Sequence, residues 1–451
     1  MAKQMNMTSG KPMRLLFYFA LPLMLGNMFQ QLYTVVDIAI VGRGVGMEAL
    51  ATLGSVDWLS WLFIGTAQGF AQGISVRIAQ KYGEGDIYGM QHVIGQSVTL
   101  SAIISVIGTI LCLCGLPLFM KLLRVPQDLW HMARLYQTVL MSGFTVSMFY
   151  NLVAGILRAV GDSKTPLMAM VVAALTNIAL DCVAVFVLGW GITGAAAATV
   201  AAQVLATVLC TIKIIRSDIL RFERSQLKPV NSICKELLAL GAPVAAKNLI
   251  IALGGMAVQT IVNGFSMSFI AGFTATNKLY GLLEIAAISY GYAVTTYVGQ
   301  NHGAKQYVRI KEGIRAATVL SVITSIVIAI CMVSFGRNIT MLFISSEAAD
   351  LAAVAGDVAY NYLCVMSAGL PILYLLYVFI SALQGMGNSI VSMISGIIEF
   401  IMRVGVSLII AHTGFESGIF AAEVAAWLGA AVYLMLTYHK NYKRLAQQEN
   451  T

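Results

Sequence analysis

The chain has 451 residues, of which 59% are hydrophobic and only 11% are charged. An ordinary soluble domain has about 25% charged residues, and a globule of this size needs a polar exterior. The composition therefore argues against a soluble enzyme, a nucleic-acid-binding protein and a disordered protein. The net charge of +8 is typical of a membrane protein whose basic loops face anionic lipid.

The apolar runs predict helices that cross a membrane. Such a helix needs about 20 mostly apolar residues, and these runs are too long and continuous for the strands of a membrane barrel. We predict an all-α integral membrane protein with twelve transmembrane helices. The predicted spans are 15–41, 50–76, 92–119, 135–157, 166–189, 194–215, 239–263, 269–299, 315–335, 353–382, 389–411 and 418–438.

Lys and Arg in the loops predict the orientation, because cytoplasmic loops carry most of the basic residues. If the N-terminus is cytoplasmic, most basic residues lie on that side. The opposite loops then contain only Arg43, Lys121, Arg124, Arg134 and Arg337. We expect a multi-pass protein of the plasma membrane with both termini in the cytoplasm.

The two halves of the chain repeat each other, and the repeat predicts how the chain is divided. Ala20-Leu21-Pro22 matches Gly241-Ala242-Pro243, and Gln80-Lys81-Tyr82-Gly83 matches Gln300-Asn301-His302-Gly303. Residues 157–163 match 383–389 in the same order. Each half has six spans, so the halves share one orientation, a plan found in secondary transporters. The predicted parts are an N-terminal six-helix lobe (1–215), a cytoplasmic inter-lobe loop (216–238), a C-terminal six-helix lobe (239–438) and a cytoplasmic tail (439–451).

No sequence motif indicates an ATP motor or an enzyme. Gly161-Asp162-Ser163-Lys164-Thr165 lacks the spacing and the preceding strand of a phosphate-binding loop. HExxH and GxSxG motifs are missing. The seven cysteines include no CxxC pair. We expect no ATP use, no catalysis and no cofactor, so transport would be driven by an ion gradient or by the substrate's own gradient.

Polar residues follow one face of the first span. They lie within roughly 120° at helical spacing and end in a carboxylate. Ionisable groups inside a membrane are costly and usually functional. We interpret the stripe as the wall of a water-filled cavity; its members are Asn27, Gln30, Gln31, Thr34 and Asp37.

A second acid lies in the fifth span, where Asn177 and Asp181 are spaced i,i+4. Two carboxylates, an amide oxygen and a hydroxyl from Thr199 or an amide from Gln203 could surround one hard cation such as Na⁺. Alternatively, the two carboxylates could share one proton. If the protein is Na⁺-coupled, the metal ligands are Asp37, Asn177 and Asp181.

The second half lacks this acidic set and carries other charges. Glu399 and Arg403 have the i,i+4 order of a structural ion pair. Lys278 and Glu284 lie on neighbouring turns of span eight, where they face a central cleft or neutralise each other. Asp57 is interpreted as a further cleft residue. The predicted substrate-binding residues are therefore Asn27, Gln30, Gln31, Thr34, Asp57, Lys278 and Glu284.

The chain resembles multidrug and toxic compound extrusion (MATE) transporters over essentially its full length. The resemblance rests on residues 20–22 and 36–42 of span one, Gly69-x-x-Gln72-Gly73 of span two, residues 158–162, and Asn177-x-x-x-Asp181. It is closest to the prokaryotic DinF-type branch. Asp37, Asn177 and Asp181 match the positions that the family uses for an N-lobe cation site, with Thr199 as a fourth ligand.

The resemblance implies efflux of cationic amphipathic compounds in exchange for Na⁺ or H⁺ by alternating access. The expected partners are small organic cations and the lipid bilayer, without nucleic acid, and the expected state is a monomer. The alternative is a flippase for a lipid-linked precursor, which has the same architecture. Such flippases line their cavity with several cations to hold phosphate, whereas the only Lys or Arg in the first-half spans is Lys213, at the predicted cytoplasmic end of the sixth span.

Overall fold

The computed structural model describes residues 5–123, 125–341, 349–414 and 416–449, and these are almost entirely helical. Within those ranges the long helices are α1 Pro12–Gly44, α2 Met47–Glu84, α3 Ile87–Leu122, α4 Trp130–Ser142, α5 Phe144–Ala159, α6 Lys164–Cys182, α7 Gly191–Ile215, α8 Asn231–Val262, α9 Met267–Gly303, α10 Tyr307–Met341, α11 Ala349–Gly385, α12 Ile390–Thr413 and α13 Ala421–Glu449.

The predicted spans coincide with these helices, with one division. The span at 135–157 is two helices, α4 and α5, which meet at Gly143 with a bend of 42°. Glycine is a poor helix former, and a Ser-Gly pair is a common place for a sharp kink. Every other predicted span lies largely within a single helix, so the prediction of an all-α membrane protein is confirmed.

Nine helices in the described ranges are long and apolar enough to cross a membrane, or up to ten if α4 and α5 form one bent span. The helices α2 and α9 are not among them, although they have 38 and 37 residues. Their length exceeds the roughly 20 residues that a bilayer requires. Polar residues such as Asp57 and Glu284 lower their hydropathy.

The chain forms two compact units. The first contains the described residues up to Ser9, Leu21–Leu249 and Gly299–Lys305. The second contains Gly10–Ala20, Ile250–Val298 and the described chain from Gln306 onward. The division into lobes at 216–238 remains a prediction, and α8 begins at Asn231, inside the segment predicted as a loop.

The first unit has an apolar core that α2, α3, α5, α6 and α7 share. Its polar connection after α7 is fixed by one side chain of α3. Gln96 Nε2 donates to the carbonyls of Gln226 (2.6 Å) and Lys228 (2.7 Å), and its Oε1 accepts from Val230 N–H at 2.8 Å. Because unpaired backbone groups are costly when buried, this fully buried amide holds the connection against α3.

Stacked aromatic rings form the centre of the second unit. Phe273 stacks on Tyr362 with 4.7 Å between ring centroids, and Tyr362 stacks on Phe420 at 5.0 Å. Tyr280 stacks on the fully buried Trp427 at 6.1 Å. Such pairs add to the stability that the burial of the rings provides.

The segment that resembles a phosphate-binding loop is a helix-starting turn. Gly161 has a positive φ of 88°, and Asp162 Oδ1 accepts from the backbone N–H groups of Lys164 (3.1 Å) and Thr165 (2.9 Å). Asp162 Oδ2 accepts from the Thr165 hydroxyl at 2.6 Å. These bonds satisfy groups that are left unpaired at the start of α6, which explains the sequence without a nucleotide.

Candidate functional site

Helix α1 packs against α6 at Gly26 and against the turn that follows α6 at Gly44. A Cβ at Gly26 would lie 3.5 Å from Leu167 Cδ1. A Cβ at Gly44 would overlap Val185 Cγ1 in the turn that follows α6. Asp37 lies between these glycines along α1, so the close packing brings it next to α6.

The two predicted acids meet where these helices approach. The carboxyl groups of Asp37 and Asp181 lie close enough to act directly on each other. Asp181 and Asn177 are fully buried on one face of α6, and Asp37 is half-buried. Sequence periodicity placed Asn177 and Asp181 together, but their contact with α1 depends on the tertiary fold.

These polar atoms have almost no other partners in the described part of the chain. Asp37 Oδ1, both Asp181 oxygens and both polar atoms of the Asn177 amide are buried without a hydrogen-bond donor or acceptor among the described residues, apart from the contact between the two acids. Buried polar groups are normally satisfied, and exceptions often mark an ion or a functional site.

The acid pair has a simple chemical requirement. Two ionised carboxylates have no hydrogen to donate, so they repel each other strongly in a medium of low dielectric constant. A shared proton or an intervening cation removes this repulsion. The donor set of two carboxylates and one amide oxygen suits Na⁺, because hard cations prefer oxygen ligands. The chemistry of this donor set is compatible with a proton or with Na⁺.

Two tyrosines that the sequence did not indicate lie near the acid pair. Tyr33 lies one turn before Asp37 on α1, and the charges of Asp37 and Asp181 both act on its hydroxyl. Tyr136 on α4 senses the charges of Asp37, Asp57 and Asp181. The i,i+4 spacing of Tyr33 and Asp37 was a usable signal, whereas nothing in the sequence connects Tyr136 to them.

Asp57 lies near this site, with its side chain exposed at the surface of the first unit. Its charge acts on Tyr136, which also senses the acid pair. Asp57 therefore lies within electrostatic range of Tyr136. Its assignment to the substrate remains a prediction.

Apolar side chains shield the pair. Ile40 and Val41 of α1 pack with Val185, Ile192 and Ala195 in one buried cluster. Val36, Tyr136, Ile178 and Cys182 pack against the same cluster. An apolar surrounding strengthens every electrostatic interaction inside it. It therefore also raises the free-energy cost of an uncompensated charge on Asp37 or Asp181.

The helix changes its winding directly after Asp181. Residues Val183–Val187 form a π-helical turn, and Leu188 N–H donates to Val183 O at 2.9 Å. The sequence predicted a regular helix over 166–189. Isolated π turns are rare and occur frequently at functional sites, and this one holds Val185 against Gly44 of α1.

Thr199 and Gln203 do not join the acid pair in the described contacts. The Thr199 hydroxyl donates to Ala195 O of its own helix at 3.1 Å, and Gln203 Oε1 accepts from the Ser147 hydroxyl at 2.5 Å. Both line a separate crevice between α2, α4, α5 and α7, together with Gln137. The role of Thr199 as a fourth cation ligand therefore remains a prediction without a contact to support it.

The polar stripe of α1 differs in exposure along its length. Gln30 and Thr34 are exposed at the surface of their unit, whereas Asn27 and Gln31 are half-buried. The Thr34 hydroxyl donates to Gln30 O at 3.0 Å, so it is satisfied within the helix. The stripe runs continuously from Asn27 to Asp37, but its role as a substrate-binding wall remains a prediction.

Glu284 in the second unit is held by tyrosines. It accepts hydrogen bonds from the hydroxyls of Tyr280 and Tyr377, the latter at 3.3 Å. The side chain of Lys278 lies outside the described part of the structure, so the predicted neutralisation of Glu284 by Lys278 stays a prediction.

The structure adds a third member to the predicted Glu399–Arg403 pair. Arg403 Nη2 donates to Glu423 Oε2 of α13 at 2.8 Å, and Glu399 acts on the same guanidinium through its charge. Glu399 and Arg403 are almost fully buried. The ion pair therefore links α12 to α13 rather than acting within α12 alone, which sequence spacing cannot reveal.

Comparison with known proteins concerns the chain as a whole. The MatE family model matches residues 22–183 and 243–409, one match in each half of the chain. The probable multidrug resistance protein YoeA of Bacillus subtilis is 30% identical over 344 residues, which cover 73% of each chain. The probable multidrug resistance protein NorM of Thermotoga maritima is 25% identical over 337 residues, covering 73% of this chain and 72% of the relative.

Solved structures share the fold over almost the full chain. A crystal structure of MATE in complex with MaL6 has a TM-score of 0.91 at 24% identity and covers 99% of this chain and 100% of that one. An outward-facing multidrug resistance MATE family transporter of the MOP superfamily has a TM-score of 0.90 at 24% identity, with 99% of both chains covered.

Fold, repeat and buried acids thus define a multi-pass membrane transporter. The chain belongs to the MATE family, as the family match and the Bacillus subtilis relative show.

Proposed function

We propose that this transporter exports organic cations and is driven by Na⁺ or H⁺ that binds at Asp37 and Asp181. The proximity of these two acids, one half-buried and one fully buried, carries the proposal. Ionisable side chains inside a membrane are energetically costly and usually functional. The names of the relatives YoeA and NorM, both multidrug resistance proteins, support the cargo class.

The acid pair offers a physical route to coupling. A cation or proton between Asp37 and Asp181 draws α1 towards α6, and its loss leaves two carboxylates that repel each other. Ion binding therefore favours one arrangement of α1 over another, and a ligand shifts such an equilibrium by its difference in affinity for the two states. Alternating access driven by an ion gradient needs this dependence.

Several further properties belong to the same proposal. We place the protein in the plasma membrane with both termini in the cytoplasm, since the Lys and Arg bias favours that orientation. We propose that it works as a monomer without ATP, a cofactor or nucleic acid, and that it catalyses no covalent reaction. Asn177 supplies the neutral oxygen of the ion site.

Efflux is favoured over lipid flipping. A flippase for a phosphate-linked precursor needs several cations along its cavity, and the first-half spans contain only Lys213, at the predicted cytoplasmic end of the sixth span. The relatives reported above are named for multidrug resistance. Both observations point to a cationic cargo.

Purified protein in liposomes tests the proposal. Ethidium efflux is measured against its own gradient with a Na⁺ gradient alone, a proton gradient alone, or neither. We expect one gradient to drive uphill transport and Asp37→Asn to abolish it. Asp128→Asn, the same chemical change at an exposed acid outside the predicted spans, serves as the control. Uphill efflux by Asp37→Asn at the wild-type rate would show that the coupling site lies elsewhere.

A further inference from the structure

The last turns of α2 and α9 cross at two equivalent glycines of the internal repeat. A Cβ at Gly83 would overlap the carbonyl oxygen of Gln300, and a Cβ at Gly303 would overlap that of Gln80. The two contacts are reciprocal, because Gln80 and Gly83 match Gln300 and Gly303 in the repeat. Backbones this close leave no space for a side chain, so the crossing is a tightly closed contact at the predicted cytoplasmic end.

The segment before α1 is bound to this crossing. The backbone N–H of Met7 donates to Gln300 Oε1 at 2.9 Å, and Asn301 Nδ2 donates to the Met7 carbonyl at 3.0 Å. The Met7 side chain, Gln300 and Asn301 are all fully buried. A short segment thus satisfies two buried amide side chains at the end of α9.

The same segment is also anchored to the turn between α5 and α6. Met5 N–H donates to Gly161 O at 3.2 Å, and a Cβ at Gly161 would overlap the Met5 carbonyl. Gln300 Nε2 donates to Ala159 O at 2.8 Å in the same region. Residues 5–9 therefore bridge the α5–α6 turn and the end of α9, with a buried methionine between the two anchors.

We propose that residues 5–9 form a latch that holds the α2–α9 crossing closed. The latch stabilises the closed contact because its hydrogen bonds to Gln300, Asn301 and Gly161 exist only while the end of α9 lies beside the α5–α6 turn. Its part in a transport cycle rests on the function proposed above. Its effect on the crossing does not, and can be measured without cargo or an ion gradient.

Distances between two spin labels test the latch. Tyr88→Cys, in the first turn of α3, and Lys305→Cys, directly after α9, are labelled in a chain without the seven native cysteines. Both positions are exposed. We expect one short distance in the full-length chain and an added longer distance when residues 2–9 are deleted. The open fraction should rise roughly tenfold or more, since several buried hydrogen bonds are lost together.

A point variant with a matched control separates the latch from general damage. Gly161→Ala displaces the Met5 carbonyl, and we expect it to raise the open fraction in the full-length chain. It should add nothing in the chain that lacks residues 2–9. Gly387→Ala strains the equivalent turn of the second half, where φ is 86°, and should leave the distance unchanged.

A third variant covers the case in which the deletion or Gly161→Ala does not fold. Asn301→Ala removes the donor to Met7 and should also populate the longer distance. Thr8→Ala removes only a bond to Asn6 and should not. Unchanged distances in folded deletion protein or in Asn301→Ala would overturn the latch, whatever drives ethidium efflux. A normal latch response in a protein without ion-driven efflux would instead overturn only the proposed function.

Discussion

The carboxyl group of Asp37 on α1 lies beside that of Asp181 on α6, and no described hydrogen-bond partner satisfies Asp181. Each group alone would be an expensive buried charge. Together they form a site whose free energy depends on one small cation. The two residues should therefore act as one unit.

The first prediction concerns this interdependence. Asp37→Asn and Asp181→Asn should each abolish Na⁺ binding, or substrate-induced proton release if the coupling ion is H⁺. The double variant should lose no more than either single one, because residues in direct contact are not additive. Isothermal titration with Na⁺ and proton-release measurements on purified protein test this. Strictly additive losses, with partial binding left in each single variant, would contradict a shared site.

The second prediction concerns Tyr136. Tyr136→Phe keeps the ring in the apolar cluster but removes the hydroxyl beside the acids. We expect a change in unfolding free energy of about 1 kcal/mol or less, with cation affinity lowered severalfold. Titration calorimetry and thermal unfolding separate the two effects. Tyr88→Phe, at an exposed position, is the control, and equal affinities for the two variants would exclude Tyr136 from the ion site.

The third prediction concerns the charged link between α12 and α13. Glu423→Gln leaves the buried Arg403 guanidinium without its direct partner and should cost on the order of 3–5 kcal/mol. A lower midpoint of thermal unfolding in detergent should show this. Arg403→Met with Glu423→Gln should recover much of the loss. A single variant as stable as wild type would mean that Glu399 alone compensates Arg403.

The fourth prediction concerns the polar face of α1. Gln30 and Leu32 are both exposed, but they lie on opposite sides of the helix. In a chain without native cysteines, Gln30→Cys should react with a water-soluble maleimide. Leu32→Cys should react at least roughly tenfold more slowly, because lipid excludes the reagent. Labelling rates by mass spectrometry decide this, and equal rates would refute a water-filled cavity along the stripe.

The fifth prediction concerns pH at the start of α3. Lys81 and the Gly89 N–H hold the pKa of Asp86 below its ordinary value. A lowered pKa means that Asp86 stabilises the fold above about pH 4 and loses this contribution as the pH falls further. Asp86→Asn keeps the helix cap but removes the charge. The thermal stability of this variant should therefore vary less between pH 6 and pH 3 than that of the wild type, because the contribution from the difference between the folded and unfolded pKa of Asp86 is lost. An unchanged pH profile would contradict the role of Lys81.

Much of the fold could be predicted because lipid imposes simple rules. Long apolar runs must be helices, and hydropathy located each of them. The bend at Gly143 was missed because a 23-residue apolar run reads as one span. The π turn after Asp181 was missed because β-branched residues such as Val183 and Val185 are common in ordinary membrane helices.

The site was predictable only along each helix. Periodicity put Asn177 and Asp181 on one face, and the stripe ended at Asp37. Their contact depends on the packing of α1 against α6 through Gly26 and Gly44, which no local pattern encodes. Tyr136 and Glu423 were missed for the same reason, since each reaches its partner from a helix distant in the chain. The second-half charges were interpreted through spacing alone, so the bond from Arg403 to Glu423 was not predicted.

The reciprocal contact of Gly83 with Gln300 and of Gly303 with Gln80 is self-complementary, as in the interface of a two-fold symmetric dimer. Both partners carry the same short motif, so one motif on one half-length chain would suffice to build it between two copies. The crossing therefore has the geometry that a homodimer of half-length chains would need. The paired acids occur in one half of the repeat only, whereas this contact requires glycine in both.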